Sequence, residues 1–221
     1  TALIEVSGNL SYGIEALGKV LNLKGKVLPV TQDNVKLVAE MMNGEVIEGE
    51  HKITQAKKQI KRVYYKEQPK VLDEVLEQIK SADLIILSMG SLFTSIIPNL
   101  ICEDVIKAID SSNAEIMYVC NMMTQPGETD NFTVSDHVNA LNSYLGNNKI
   151  SAVIVNNGEI SEEVINKYLV AEQKDPVVID EEKLIEQNIK VIKDNLVKIE
   201  NESIRHNQAK LGLQIYTNLI K

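Results

Sequence analysis

The 221-residue sequence has few cysteines and no long apolar run. Cys102 and Cys120 are its two cysteines, and their placement indicates neither a disulfide framework nor a metal cluster. We therefore expect a reducing, cytoplasmic compartment and no bound metal. No apolar stretch reaches the roughly 18 residues that a bilayer-spanning helix needs, and no secretory signal is visible. The sequence accordingly predicts a protein without a membrane span.

Basic arms are also absent. The formal net charge is −8, and the densest basic stretch, 57–62, is short and interrupted by an apolar residue. This composition is more typical of a solvated strand edge or loop than of a site that binds an anion. The acidic balance argues against duplex nucleic acid as a partner. A hydrophobic fraction of 44% and a charged fraction of 24% are ordinary for a globular protein with one substantial core and room for a small lobe.

Short apolar runs alternate with amphipathic stretches along most of the chain. Predicted strands cover 26–30, 83–87, 116–120, 152–155 and 177–179, and predicted helices cover 14–21, 71–79, 134–145, 161–169 and 211–219. Repeated alternation of this kind predicts an α/β protein whose mostly parallel sheet is covered by helices on both faces. The stretch 181–200 is compatible with a helix or a strand. A helical stripe is formed by Ile185, Ile189, Ile192 and Leu196, while Ile189 and Val191 alternate as in a strand.

A different pattern occupies residues 33–66. Asn43 and Gly44 separate two strand-like runs, which is a strong hairpin signal. We expect further strand at Ile53 and at 63–65. This region is therefore predicted to be a small antiparallel insertion at about 33–66.

Two predicted strand ends carry unusual loops, and ligands of doubly wound sheets bind at such ends. The first loop begins at Ser88 and includes Gly90 and Ser91. Its small residues and the following helix start could offer free N–H groups to a phosphate, or they could form an ordinary tight turn. The second loop, 121–130, is long and rich in hydrogen-bonding groups, which fits a binding loop and a stiff surface loop equally well.

Catalytic signatures are not visible in the sequence. The three histidines show no ligand spacing, and neither a phosphate-binding G-x-x-x-x-G-K-[ST] loop nor a G-x-G-x-x-G pattern is present. Arg205, beside His206, could bind an anion in a bidentate manner or could simply be solvated.

The two loops also carry a family resemblance. The run Gly90-Ser-Leu-Phe-Thr-Ser-Ile-Ile-Pro-Asn-Leu100 resembles the G-S-L-Y-T-S-x-x-P-N-L segment of the gluconeogenesis factor family (YvcK-type) in the CofD-like superfamily. The string Thr124-Gln-Pro-Gly-Glu-Thr-Asp130 is similar to another element of that family, and the similarity extends over essentially the whole chain. It implies a Rossmann-like three-layer αβα fold in one CofD-like domain, 1–221, and it favours a strand at 189–193.

The resemblance also implies a function. Members of the family are expected to be cytoplasmic bacterial proteins that bind UDP-sugars, such as UDP-N-acetylglucosamine, and that act in gluconeogenic growth, cell shape and wall integrity, without an established reaction. Tyr168 and Arg205 match positions that the family uses for the UDP-sugar, and Asn121 and Thr124 lie in the matching loop. Together with the first loop, this gives a full set of predicted ligand-binding residues. The set is Gly90, Ser91, Thr94, Asn121, Thr124, Tyr168 and Arg205.

Two departures from the family pattern complicate this expectation. The family's N-terminal G-G-G-T-G strand-loop-helix is missing from this chain, which implies an N-terminally incomplete domain with an exposed sheet edge and, from that edge, a homo-oligomer. Ser88 and Met89 replace the family's Gly-Pro. An enzyme resembling the superfamily's 2-phospho-lactate transferases of deazaflavin coenzyme synthesis, which would use magnesium, is the alternative function, and a fragment without a ligand is a third.

Overall fold

The computed structural model describes residues 8–200 and 203–219. The helices within these residues are α1 (Leu10–Val20), α2 (Glu50–Ala56), α3 (Asp73–Lys80), α4 (Ile97–Leu100), α5 (Glu103–Ser111), α6 (Val134–Tyr144), α7 (Glu162–Glu172), α8 (Glu181–Glu186) and α9 (Gln208–Leu219), with a π-helical turn at Leu92–Ile96. The strands are β1 (Leu37–Met41), β2 (Val46–Glu48), β3 (Ile60–Tyr65), β4 (Leu84–Leu87), β5 (Glu115–Val119), β6 (Ile150–Asn156), β7 (Lys190–Asp194), β8 (Val197–Glu200) and β9 (Ser203–His206). No helix in these ranges is both long and apolar enough to cross a membrane.

A four-stranded parallel sheet in the order β4-β5-β6-β7 forms the centre of the fold. Its inner strands are continuous apolar runs because both of their faces are covered, and four of the five residues of β5 are buried. One face packs against side chains such as Val105 of α5 and Val138 of α6, while the other packs against Leu211 of α9. The predicted α/β class and the three-layer arrangement are therefore confirmed.

Two of the predicted strands are absent from this sheet. Residues 26–30 form an irregular segment, followed by a single bridge between Thr31 and Val71. Residues 177–179 also form no strand, and Val178 makes an isolated bridge to Thr133. Short apolar runs have no strand identity of their own, because pairing depends on a neighbour that presents its peptide groups in register.

The antiparallel hairpin is confirmed. Strand β1 pairs with β2 around the turn that contains Gly44, and with β3 on its other side. The expectation of a strand at Ile53 is wrong, since this residue lies in the short helix α2. Its side chain is 2% exposed and packs into the main core. One isoleucine satisfies a buried position equally well in a helix or a strand, so the pattern could not distinguish them.

The ambiguous stretch 181–200 contains both predicted structures in succession. Helix α8 occupies its first part, and strand β7 follows. The predicted strand at 189–193 largely coincides with β7. Strands β8 and β9 then form a two-stranded ribbon that the sequence did not indicate, before α9 begins. This ribbon returns the chain to the carboxyl ends of β4 and β5, where the cavity described below lies.

Candidate functional site

A cavity of about 660 Å³ opens at the carboxyl edge of the parallel sheet. Neighbouring parallel strands end at the same edge, so the loops that follow β4 and β5 lie side by side. Helix α7, strand β9 of the β8–β9 ribbon and the first turns of α9 line the rest of the cavity. The lining residues are Met89, Gly90, Ser91, Asn121, Met122, Met123, Thr124, Gln125, Tyr168, Glu172, Lys174, Ser203, Ile204, Arg205, His206, Gln208 and Leu211.

Asn121 joins the two loops where they begin. Its Nδ2 donates a hydrogen bond of 2.9 Å to the carbonyl of Gly90. Its Oδ1 is buried and, within the described part of the chain, has no hydrogen-bond partner. A buried acceptor left unpaired is unfavourable, so this atom is available to a donor that reaches the cavity wall.

Glu128 ties the two loops together behind the cavity. The carboxylate is 2% exposed and accepts hydrogen bonds from the backbone N–H of Phe93, the Oγ1 of Thr94 and the Nε2 of Gln125, each at 2.9 Å. Burial raises the pKa of Glu128, and the hydrogen bonds from Phe93 and Thr94 act against that rise. The helix start that could have faced a phosphate therefore already holds an internal carboxylate.

The structure brings six of the seven predicted residues together. Thr94 is the exception, because its side chain is 6% exposed and its hydroxyl is directed to Glu128 rather than to the cavity. Thr124 lines the cavity, although its amide donates to the Asp175 carbonyl at 2.7 Å and its Oγ1 accepts from the Asp175 N–H at 3.0 Å. These paired bonds attach the second loop to the segment that follows α7.

Gly127 fixes the second loop against the antiparallel layer. Its φ is +81°, and a Cβ at this position would lie 2.6 Å from the backbone of Lys57. Its carbonyl accepts from the Ile60 N–H at 3.2 Å, and its own N–H donates to Asp130 Oδ2 at 2.7 Å. Only glycine permits this approach without displacing the neighbouring chain. The antiparallel insertion therefore packs behind the second loop and holds it in place.

Cationic and hydroxyl groups occupy the opposite wall. The Tyr168 hydroxyl accepts from the Ile204 N–H at 2.8 Å and so joins α7 to the ribbon. Arg205 is exposed and has no ion-pair partner within the described residues. Lys174 forms a 2.6 Å ion pair with Glu172, and both line the cavity. The described residues of this wall therefore carry two side-chain cations and one carboxylate, in a protein whose formal charge is −8.

His206 contributes a ring without a permanent charge. Its Nε2 lies 3.2 Å from the carbonyl of Cys120, to which it donates. Burial lowers the pKa of His206, and the bond to the Cys120 carbonyl opposes that shift. The imidazole thus favours its neutral form and can present one hydrogen-bonding nitrogen to the floor of the cavity. Within the described residues no group of three His, Cys, Asp or Glu side chains is placed to hold a metal ion.

Sequence reasoning did not select several of the lining residues. No motif or periodicity in the sequence marks Lys174, Glu172 or Gln208, and His206 stands out only as the neighbour of Arg205. The ribbon and the end of α7 approach the loops only through tertiary packing. The one available signal was the ordering of the chain, since both segments follow strands whose carboxyl ends lie at this edge.

Fold and cavity together define an α/β protein whose parallel sheet has helices on both faces and a polar cavity at the carboxyl ends of its strands. The family model described as 2-phospho-L-lactate transferase CofD matches residues 1–197, and the chain belongs to this family. It is 39% identical over 221 residues to the gluconeogenesis factor of Bacillus subtilis strain 168, covering 100% of this chain and 69% of that protein. It is also 39% identical over 211 residues to the gluconeogenesis factor of Halalkalibacterium halodurans, covering 95% of this chain and 65% of the relative.

A solved structure gives the same result for the fold. A crystal structure of a UPF0052 family member from Bacillus halodurans superposes with a TM-score of 0.90 at 37% sequence identity. The match covers 100% of this chain and 70% of that one. The chain thus spans about two thirds of the length of these relatives. An activity of the whole relatives can therefore only be proposed for this chain.

Proposed function

We propose that this protein is a cytoplasmic regulator that binds a UDP-sugar or a similar phosphorylated metabolite, and that it acts in gluconeogenic growth, cell shape and wall integrity. The observation that carries the proposal is the convergence of Gly90, Ser91, Asn121, Thr124, Tyr168 and Arg205 on one cavity. These residues come from separate stretches of the sequence. Their meeting at the carboxyl edge supports a common ligand.

The charges of the cavity favour an anionic ligand. Arg205 has no internal partner within the described residues, and its planar guanidinium can bind phosphate oxygens in pairs. The small side chains of Gly90 and Ser91 allow a ligand to approach the peptide backbone. Because Glu128 already occupies the N–H of Phe93, we assign the phosphate to the Arg205 side of the cavity rather than to the helix start.

Isothermal titration with UDP-N-acetylglucosamine tests this proposal. We expect binding to the wild type, and a loss of at least tenfold in affinity for Arg205→Ala. Arg62→Ala is the matched control, because Arg62 is the only other arginine in the sequence and pairs with Glu40 on the antiparallel sheet. Absence of heat with the wild type, or an equal loss in both variants, would contradict the proposed function.

A second candidate is a phospho-transferase, favoured by the name of the family model that matches residues 1–197. Such an enzyme would use magnesium held by carboxylates and phosphates. Among the described residues Glu172 is the single carboxylate that lines the cavity, and Asp130 accepts the Gly127 N–H instead. Incubation with a deazaflavin acceptor, a 2-phospho-lactate donor and magnesium tests this candidate. Product formation that Arg205→Ala abolishes would favour it over the binding role.

We also propose that the protein forms a homo-oligomer. Within the described residues β4 pairs only with β5, and its Ile86 is 39% exposed. An apolar strand edge of this kind can pair with a second copy. Sedimentation velocity should detect an assembly that Ile86→Lys weakens, whereas a monomer at all concentrations would contradict this proposal.

A further inference from the structure

A second, smaller cavity lies beside the first at the carboxyl ends of β5 and β6. Its volume is about 250 Å³, and it shares Asn121 and Met122 with the larger cavity. Helix α7 contributes to both, through Ile165 here and through Tyr168 there. Pockets for whole ligands usually measure about 300–1,000 Å³, so the smaller cavity has the size of a compartment for part of a ligand.

The lining of the second cavity differs chemically from that of the first. Glu159 is the single charged residue among the described residues that line it, and neither lysine nor arginine is present. Burial raises the pKa of the Cys120 thiol to about 12, so the thiol remains neutral. A phosphate here would meet a carboxylate and no cation, which is strongly unfavourable. The apolar lining consists mainly of Val134, Val155, Ile160, Ile165, Val177 and Ile179.

Few polar groups of this cavity are free to bind a ligand. The Asn156 amide is already used, because its Oδ1 accepts from the Gly158 and Leu196 N–H groups and its Nδ2 donates to the Gly158 carbonyl. Asn121 Oδ1 is an acceptor without a partner among the described residues, and Asn157 and Glu159 lie at the exposed rim. A sugar ring needs a partner for each of several hydroxyl groups, whereas a flat base needs very few.

We infer that the second cavity is the subsite for the uncharged base of a nucleotide whose phosphates lie in the first cavity. The inference rests on the function proposed above and adds the part of the ligand that sets specificity. The base lies between the apolar side chains, and one of its N–H groups donates toward Asn121 Oδ1. The phosphates then pass Asn121 and Met122 to reach the cationic wall at Arg205.

Filling the cavity tests this arrangement. Val177→Phe adds a ring inside it, while Val178→Phe adds the same ring to a neighbouring side chain that is 63% exposed and does not line the cavity. By calorimetry we expect Val177→Phe to lower the affinity for UDP-N-acetylglucosamine by at least tenfold. Val178→Phe should change this affinity by less than twofold. An unchanged affinity in Val177→Phe would overturn the subsite while the proposed function stands.

A measurement on the wild type does not depend on how a variant folds. Saturation-transfer NMR should show the base protons of UDP-N-acetylglucosamine more strongly saturated than its sugar protons, and UDP should bind at least tenfold more tightly than inorganic pyrophosphate. Equal affinity for UDP and pyrophosphate, or saturation confined to the sugar, overturns the inference. If the wild type binds none of these compounds, the proposed function fails and the subsite fails with it.

Discussion

The two walls of the larger cavity are built in opposite ways. The wall formed by the loops after β4 and β5 is anchored in the core, with Phe93, Thr124 and Glu128 all buried. The wall formed by α7 and the β8–β9 ribbon is not, because α7 has no buried residue and neither ribbon strand has one among its described side chains. Regions with few buried contacts open locally at low free energy.

The difference indicates that the two walls have different roles in binding. The anchored wall presents backbone and amide groups in fixed positions. Because these groups are already ordered, ligand binding loses little conformational entropy on this side. The weakly anchored wall carries Tyr168, Lys174 and Arg205, whose positions a ligand can order. Changes in the first wall should therefore reduce the stability of the whole domain, while changes in the second should mainly alter affinity and local protection.

Glu128→Ala should have the largest effect on stability. It removes the acceptor for the Phe93 N–H, the Thr94 hydroxyl and the Gln125 amide, all within a buried space. We expect the free energy of unfolding to fall by about 3–5 kcal/mol, measured by urea denaturation. The control Glu172→Ala removes a carboxylate from the other wall, with a side chain that is 48% exposed, and should cost less than about 1 kcal/mol. Equal losses would remove the contrast between the walls.

Gly127→Ala should follow, because it combines a left-handed backbone with a steric collision. The added Cβ would lie 2.6 Å from the Lys57 backbone, which cannot yield as a flexible side chain does. We expect a loss of about 3 kcal/mol. Gly44→Ala separates the two causes, since Gly44 has a similar φ of +83° but nothing within 4 Å of its added Cβ. The control should cost about 1–2 kcal/mol, and a Gly127 variant no worse than that would mean that the backbone contact does not matter.

Asp180→Asn should reduce stability by an intermediate amount and in a pH-dependent way. Burial acts to raise the pKa of Asp180, but hydrogen bonds from Ser135 and Thr133 outweigh it and hold the pKa at about 2, below its ordinary 3.8. A lowered folded pKa stabilises the protein above about pH 4 and loses that contribution as the pH falls toward 2. We expect Asp180→Asn to cost about 2 kcal/mol at pH 7 and less than about 0.5 kcal/mol near pH 2, where half of the folded carboxylate is protonated. A cost that does not vary with pH would contradict this assignment.

The anchored wall was largely predictable from the sequence. The loops after β4 and β5 could be located because each follows a continuous apolar run, and parallel strands place such loops at one edge. What could not be predicted is the direction of the side chains. Thr94 and Glu128 belong to the same recognisable strings as Gly90 and Thr124, but they face each other inside the core because the π-helical turn at Leu92–Ile96 turns Thr94 inward.

The weakly anchored wall was much less predictable. Only the family resemblance points to Tyr168, and the chemistry of Arg205 alone leaves an anion contact and a solvated side chain both open. The ribbon that carries Arg205 has no periodic pattern that distinguishes it from a loop. Its position depends on pairing between β8 and β9 and on single contacts such as the bond from the Ile204 N–H to Tyr168. Contacts of this kind join residues 36 apart in sequence, and no local propensity encodes them.

Tyr168→Phe should have the smallest effect on global stability and the clearest effect on the second wall. It removes the acceptor of the Ile204 N–H but keeps the ring, and this bond lies in a partly exposed region. We expect a change of no more than about 1 kcal/mol in the free energy of unfolding. Hydrogen exchange should rise at the Ile204 amide and along β8–β9, but not in β5, and UDP-N-acetylglucosamine should restore less protection than in the wild type. Faster exchange in β5 would show that the two walls open as one unit, since a local opening of the ribbon leaves the buried strand protected.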